Sequence, residues 1–114
     1  MGALHYCSVN TRPDVAFSVG YICRAMSKPT DDLYADALLR VLRYLERTED
    51  LGLTYEGDDL ALHGMTDSDW AVQHSTSGFV FTLNKAAISW GSKKQTSVAL
   101  SSCEAELMAG SEAA

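Results

Sequence analysis

The spacing of apolar residues changes once along this chain, and that change constrains the fold more than any other feature. Between residues 30 and 49, apolar side chains recur every four residues, which is the spacing of one face of a helix. They are Leu33, Ala37, Val41 and Leu45. Beyond residue 59, apolar residues occur in short runs of strand length, bounded by Gly, Asn, Asp and Ser. The sequence therefore predicts an α+β protein, with helices first and a sheet second.

Two helices are expected before the sheet. Thr11 can cap the first helix, Asp14 can bond back to that cap, and Pro13 lies in the first turn, where its missing N–H costs little. Pro29 is expected to end this helix. Thr30 precedes two acids and is expected to begin the second helix, since acids are favourable at a helix N-terminus.

A small antiparallel sheet and a final helix are expected after the break that follows the second helix. The predicted strands are 60–67, 78–83 and 87–90, with 53–55 as a short extra strand and 96–100 as a continuation of the last or a short neighbouring strand. A turn is expected at Asn84-Lys85. Ser101 and Glu104 form an S-x-x-E capping box at the start of the final helix. The best boundary between the helical part and the sheet part follows residue 56.

The charge and the cysteines limit the class of protein. The chain has 114 residues, of which 46% are apolar, and a net charge of −6, which fits one small folded domain. Residues 51–114 hold three basic and eight acidic side chains, a poor match to a nucleic-acid backbone. The three cysteines form no C-x-x-C motif, so a reducing, intracellular location in the cytoplasm or nucleus is expected. No apolar run is long enough to span a membrane.

Two groups of acids are the candidate functional residues. Asp67 and Asp69 lie at the end of a predicted strand, and Glu104 and Glu106 lie in the first turns of the final helix. Carboxylates without a Cys/His cluster suit hard cations such as Mg²⁺ or Mn²⁺. Spacing alone does not choose between Asp67 and Asp69, and both can equally be solvated turn residues. Glu104 has a capping role, whereas Glu106 lies about 200° further around the helix and lacks one.

Seven strings of residues, taken together, resemble a known family. In chain order they are Thr11-Arg12-Pro13-Asp14-Val15-Ala16-Phe17, Leu42-Arg43-Tyr44-Leu45, Thr66-Asp67-Ser68-Asp69-Trp70-Ala71, Ser75-Thr76-Ser77-Gly78-Phe79-Val80-Phe81, Ile88-Ser89-Trp90, Ser92-Lys93-Lys94-Gln95 and Glu104-Ala105-Glu106. They resemble the end of the Pol polyprotein of copia-type (Ty1/copia) retrotransposons, where they occur in the same order. The resemblance covers nearly the whole chain.

The resemblance implies a fold, a reaction and a site. Residues 1–56 would be a helical connection segment that follows reverse transcriptase, and residues 57–114 would be the N-terminal part of a ribonuclease H-like domain. Enzymes of this family hydrolyse the RNA strand of an RNA–DNA hybrid with two divalent ions held by acids. Position by position, the resemblance places the strand acid at Asp67 and the helix acid at Glu106, as catalytic and metal-binding residues. Asp69 and Glu104 match family residues that do not bind the metal.

Two departures from the family pattern qualify these expectations. The segment between Ala71 and Ser75 is shorter than usual, and the family's later strands and remaining catalytic aspartates are absent. We therefore expect a truncated ribonuclease H-like fold: a three-stranded antiparallel sheet and a helix, preceded by two helices. We also expect weak or absent binding of Mg²⁺ or Mn²⁺, and no activity from this fragment alone, so the residues leave open whether the chain is an enzyme.

Two alternative functions stay open at this point. The first is an interaction module whose unpaired sheet edge, on the first long strand, and two N-terminal helices pair with a missing segment or with a second copy of the chain. The second is a nucleic-acid-binding remnant that uses basic residues, although a basic stripe on a helix is more often a solvated face. Those residues are Arg40, Arg43, Arg47, Lys93 and Lys94.

Overall fold

The chain forms two compact units, Met1–Leu53 and Thr54–Ala114. The computed structural model describes residues 1–28, 30–58 and 60–114, with the backbone alone at 33–35. The described part is α+β, with helices in the first unit and a three-stranded sheet with one helix in the second. The assignment of residues 1–56 and 57–114 to two named domains stays a prediction.

Within its described residues the first unit contains three α-helices, where two were expected. They are α1 (Gly2–Asn10), α2 (Ala16–Ala25) and α3 (Leu39–Arg47), with a 3₁₀ turn at Pro13–Val15 and a π-helical segment at Leu33–Leu38. The prediction missed α1 because that segment has no clear apolar stripe: Tyr6 and Val9 are exposed while Ser8 is buried. Helices without such a stripe give no periodic signal.

The predicted helix start at Thr11 is wrong. Thr11 follows the last residue of α1, and both its backbone N–H and its hydroxyl donate to the carbonyl of Cys7, at 3.0 Å and 3.4 Å. Asp14 accepts from Arg12 instead of bonding back to the cap. The α2 helix therefore begins only at Ala16 and ends at Ala25. The predicted stop at Pro29 lies outside the described residues.

An apolar cluster forms the core of the first unit. Val15, Val19 and Ile22 come from the 3₁₀ turn and α2, and Val41 comes from α3. Val19 and Ile22 are three residues apart, so they share one side of α2. Helical backbone resumes at Asp31 and α3 ends at Arg47, which confirms the predicted second helix.

The second unit is built on an antiparallel sheet of order β1-β2-β3. The strands are β1 (His63–Asp69), β2 (Thr76–Leu83) and β3 (Ala86–Lys94). Asn84 and Lys85 join β2 to β3 with φ values of 48° and 67°, as a two-residue hairpin turn requires. The predicted sheet and this turn are confirmed.

Two predicted strand segments are wrong. Residues 53–55 form no strand; the Tyr55 hydroxyl donates to the carbonyl of Ala87 at 2.8 Å, and the Glu56 N–H donates to Asn84 at 3.1 Å. Residues 96–100 also lie outside the sheet. The backbone hydrogen bonding along β2 and β3 ends where the N–H of Gln95 donates to the carbonyl of Ser75, at 2.8 Å. A short apolar run does not form a stable strand unless a neighbouring strand pairs with it.

The helix α4 (Ser102–Ala113) packs on β1 and β2. The Ser101 hydroxyl accepts from the Glu104 N–H at 3.2 Å, and the Glu104 carboxylate accepts from the Leu100 N–H at 2.7 Å. The predicted Ser101 cap is confirmed, whereas the Glu104 carboxylate bonds to the N–H of Leu100, one residue before the N-cap residue that a capping box uses. Ala105 and Ala109, one turn apart, are the buried residues of this helix. None of the described helices has the length and apolar composition that a membrane crossing requires.

Candidate carboxylate site

Asp67 lies near the end of β1 with its side chain exposed. Its Cα is opposite that of Gly78 in β2, which in turn pairs with Ser92 in β3. One carboxylate oxygen accepts from the N–H of Ser68 at 2.9 Å. That bond is local, and the residue as a whole is exposed. Asp67 therefore presents a solvated carboxylate from a paired strand.

The two faces of the sheet differ at this end. Ser77 of β2 pairs with Lys93 of β3. The Gln95 amide joins the Ser77 hydroxyl to the carbonyl of Ala105 in α4, and Lys93 forms an ion pair with Glu112 of α4 at 3.6 Å. Successive residues of a strand point to opposite faces. Asp67 and Gly78 therefore point away from the face that α4 covers. Metal shared between Asp67 and α4 would require a carboxylate to reach around the edge of β1.

Glu106 lies in the second turn of α4, and its residue is exposed. It follows Ala105, which is fully buried, and it lies about 100° around the helix from it. The Glu106 side chain makes no hydrogen bond or ion pair with the described part of the chain. Glu106 is therefore on the flank of the helix, free to bind a ligand.

The described residues contain no group of three or more His, Cys, Asp or Glu side chains placed to hold a metal ion. Mg²⁺ often takes only one or two carboxylates from a protein and fills its other positions with water and substrate phosphates. Asp67 and Glu106 are hard oxygen donors of that kind. They fit part of a divalent site, and their assignment as catalytic and metal-binding residues stays a prediction.

A buried polar link near these acids was missed by the sequence reasoning. The Gln95 side chain is 3% exposed, and its Nε2 donates to the Ser77 hydroxyl at 2.9 Å and to the carbonyl of Ala105 at 3.0 Å. The Gln95 Oε1 and the Ser68 hydroxyl are buried without a partner among the described atoms. The sequence comparison included Gln95 only as the last residue of the string Ser92-Lys93-Lys94-Gln95, and it assigned Gln95 no role.

The strongest electrostatic network lies in the first unit. Arg12 donates to both carboxylate oxygens of Asp14, at 3.1 Å and 2.8 Å, and to the carbonyl and hydroxyl of Thr48. The Tyr44 hydroxyl also donates to Asp14, at 2.8 Å. Hydrogen bonds from Arg12 hold the pKa of Asp14 below its ordinary value, and the bond to Asp14 raises the pKa of Tyr44. This network joins the 3₁₀ turn to the end of α3.

The basic stripe of α3 is exposed. Arg40, Arg43 and Arg47 all face solvent, and Arg40 forms no ion pair with Asp36 among the described side chains. Their proposed contact with nucleic acid stays a prediction.

Comparison with known proteins identifies relatives over almost the whole chain. No known family profile matches it, and no solved structure matches it. The chain is 48% identical to the secreted RxLR effector protein 161 of Plasmopara viticola, over 99% of this chain and 82% of that protein. It is 44% identical to the retrovirus-related Pol polyprotein from transposon RE2 of Arabidopsis thaliana, over 93% of this chain. The corresponding Pol polyprotein from transposon TNT 1-94 of Nicotiana tabacum is 41% identical over 98%.

These matches define the class of sequence. The chain is related to a segment of the Pol polyproteins of copia-type retrotransposons, as the sequence predicted. It spans 8% of the RE2 polyprotein and 9% of the TNT 1-94 polyprotein. It belongs to the same family as the RxLR effector protein 161. Its position at the junction of reverse transcriptase and ribonuclease H stays a prediction.

Proposed function

We propose that this chain is the part of a copia-type Pol polyprotein in which a ribonuclease H-type domain begins. Its substrate class would be the RNA–DNA hybrid, and Asp67 and Glu106 would be its metal-binding carboxylates. The proposal is supported by the sequence relationship to Pol polyproteins together with the positions of the two carboxylates. The match to Pol polyproteins covers 93% of the chain. Both carboxylates are exposed on elements that pack together, and because Asp67 points away from the face that α4 covers, the Glu106 carboxylate would reach it around the edge of β1.

The residues present would perform only part of the reaction. When bound, Mg²⁺ or Mn²⁺ supplies an activated water and stabilises the leaving 3′ oxygen of the scissile phosphate. Asp67 and Glu106 would hold that charge in place, and the rigid β1–β2 pairing would fix the backbone of Asp67. Two carboxylates neutralise less cationic charge than a full cluster. We therefore expect weak metal binding and no hydrolysis of hybrid by this chain alone.

Titration with Mn²⁺ followed by NMR tests the site directly. Amide signals of Asp67 and Glu106 should broaden selectively, and Asp67→Asn and Glu106→Gln should each reduce the broadening at the other residue by at least twofold. The matched controls are Asp69→Asn and Glu104→Gln, which remove neighbouring carboxylates and should leave the broadening unchanged. Equal broadening in all four variants, or none in the wild-type chain, would reject the assignment.

A second candidate function is a non-enzymatic interaction between copies of the chain. β1 is one of the two edge strands of the sheet, so one row of its backbone N–H and C=O groups lacks a strand partner among the described residues. In addition, the relative of which this chain spans 82% is named as a secreted effector, not as a polymerase.

Size-exclusion chromatography with light scattering separates this candidate from the first. Edge pairing predicts a mass that rises with concentration and falls in Met65→Lys, because a charge on an edge strand opposes pairing. Met65 is exposed on β1. Gln73→Lys, at an exposed residue of the loop before β2, is the control. A mass that stays monomeric at every concentration would remove this candidate.

The proposed place of action is intracellular, in the cytoplasm or nucleus. The proposal depends on cysteine usage: Cys7, Cys23 and Cys103 are all free thiols in the structure. Free thiols persist in reducing compartments. Fractionation of cells that express the chain tests this location, and recovery from the medium would contradict it.

A further inference from the structure

We infer that Gln95 is a positioning residue, which sets the register of α4 on the sheet and thereby the position of Glu106 relative to β1. The inference rests on the proposed function in one respect only, namely that Glu106 is a metal ligand. The placement of α4 by Gln95 is argued from contacts alone.

Gln95 joins the two elements that carry the candidate acids. Its Nε2 donates to the carbonyl of Ala105, the residue directly before Glu106, at 3.0 Å. The same nitrogen donates to the Ser77 hydroxyl at 2.9 Å. Ser77 directly precedes Gly78, whose Cα is opposite that of Asp67. The Gln95 side chain is therefore bonded to the residue before Glu106 and to the residue before Gly78, which is the strand partner of Asp67.

The orientation of the Gln95 amide is determined by chemistry. A backbone carbonyl can only accept a hydrogen bond, so the group that faces Ala105 must be the NH₂ group. The Gln95 backbone is itself fixed, because its N–H donates to the Ser75 carbonyl at 2.8 Å, as a continuation of the strand pairing. The side chain thus extends from a fixed point of the sheet to a fixed point of the helix.

The apolar packing beneath α4 resists sliding only weakly. The buried residues of this helix are Ala105 and Ala109, and alanine presents a single methyl group to the sheet. Larger side chains, which would interlock with neighbours, are exposed or partly exposed on this helix: Leu107 is 71% exposed. A directed bond from a buried amide therefore supplies the register that shape alone does not.

The geometric consequence of a slip is large. A shift of one helical residue moves Glu106 by about 1.5 Å along the helix axis and about 100° around it. Misplacement of a catalytic group by about 1 Å can reduce a rate by about 100-fold. Holding the register of α4 is therefore a requirement for any site that combines Glu106 with the sheet.

A nitroxide on α4 measures this register without metal. Cys103 is exposed in α4, so a spin label there, in a C7S/C23S background, broadens amide signals of nearby β1 residues. Gln95→Met keeps the length of the side chain and removes its donors. We expect it to change the relaxation enhancement at Thr66, Asp67 and Ser68 by at least twofold in the folded chain. Gln73→Met, the same change at an exposed loop residue, should change nothing.

A merely stabilising role predicts a different result. It would lower the melting temperature of Gln95→Met and leave the relaxation enhancements of the folded chain unchanged, and that result overturns the inference. If Gln95→Met does not fold, Ser77→Ala decides alone, since it removes one anchor of the amide: changed enhancements support the inference and unchanged ones overturn it. Because no metal is added, these outcomes are independent of the Mn²⁺ titration, which alone tests whether Asp67 and Glu106 bind a cation.

Discussion

The helical unit and the sheet unit bury different kinds of side chain. In the first unit the interior is a cluster of branched aliphatic residues, with Val19 and Ile22 at most 1% exposed. In the second unit the buried residues are small or polar, and they are Ala86, Ala87, Ala99, Ala105, Ala109, Ser75, Ser77 and Gln95. Large apolar residues of that unit stay exposed, among them Met65, Trp70 and Ile88.

The comparison teaches that the two units are stabilised by different forces. Burial of a branched aliphatic side chain contributes about 1.5–3 kcal/mol, so the first unit is stabilised mainly by apolar burial. Alanine and serine bury little apolar surface, so the second unit depends more on strand pairing, close approach and directed hydrogen bonds. Its exposed apolar residues also leave surface for a further segment or a second copy.

The largest expected effect tests the apolar core of the first unit. Ile22→Ala removes the largest fully buried side chain and should lower the free energy of unfolding of this unit by about 2–4 kcal/mol, because it leaves a cavity. Urea unfolding, followed by the amide signals of α2, measures the change. Val9→Ala, at a residue that is 58% exposed, is the control. Equal losses in the two variants would show that the cluster is not the stabilising core.

The next prediction tests close approach in the second unit. A Cβ added at Gly91 would lie 2.6 Å from a ring carbon of Phe79, so the ring must move. Gly91→Ala should therefore destabilise this unit by about 1–3 kcal/mol. At Gly78 the nearest atoms would be 3.9 Å and 4.0 Å away, so Gly78→Ala is a matched control with a smaller loss. Thermal unfolding of the two variants gives the comparison, and a larger loss at Gly78 would contradict it.

A smaller effect is expected at the start of α4. Ser101→Ala removes the hydroxyl that accepts from the Glu104 N–H and should cost about 1 kcal/mol. Hydrogen exchange of the α4 amides should quicken about fivefold, which is the factor that this energy corresponds to. Ser102→Ala, at the first residue of the helix itself, should have little effect. Unchanged exchange in Ser101→Ala would show that the cap does not stabilise the helix.

The pH dependence of the first unit follows from Asp14. Its pKa is lower in the folded chain than its ordinary value, chiefly through Arg12, so the pairing stabilises the fold above the unfolded-state pKa of about 3.9. That contribution is lost as the pH falls through the lower, folded-state pKa. Asp14→Asn should cost about 0.5–1 kcal/mol at pH 7, since the carboxylate is partly exposed. The cost should shrink in urea unfolding near pH 2.

The matched control for this pH series is Asp36→Asn. Asp36 is exposed and has no ion pair among the described side chains. Its replacement should change stability little at either pH. A cost of Asp14→Asn that grows as the pH falls would contradict the assigned direction.

The smallest effect is a gain in the second unit. Lys85 has a φ of 67°, a conformation that glycine adopts without strain. Lys85→Gly should therefore raise the free energy of unfolding of the sheet unit by about 0.5 kcal/mol, as Asn-Gly favours this turn. Lys85→Ala, which keeps the Cβ, should give no gain. A loss of stability in Lys85→Gly, measured by thermal unfolding, would show that the turn is not strained.

Features fixed by near neighbours were predicted from the sequence. The turn at Asn84-Lys85, the cap formed by Ser101 with Glu104, and the change from helices to an antiparallel sheet all depend on contacts within a few residues. Where the prediction failed, a distant or competing partner decided. Thr11 bonds back to α1 instead of starting a helix, and residues 96–100 turn away from the sheet because pairing ends at Gln95.

The sequence by itself determined the change from helices to an antiparallel sheet, the Ser101 cap, the turn at Asn84-Lys85 and the relation to copia-type Pol polyproteins, because each follows from short patterns of residues. Only the tertiary structure decided which face of β1 meets α4 and which side chain joins them. Gln95 bonds to Ser77 and Ala105, which are 18 and 10 residues away. No local pattern specifies such partners, since they are set by how the sheet and the helix pack.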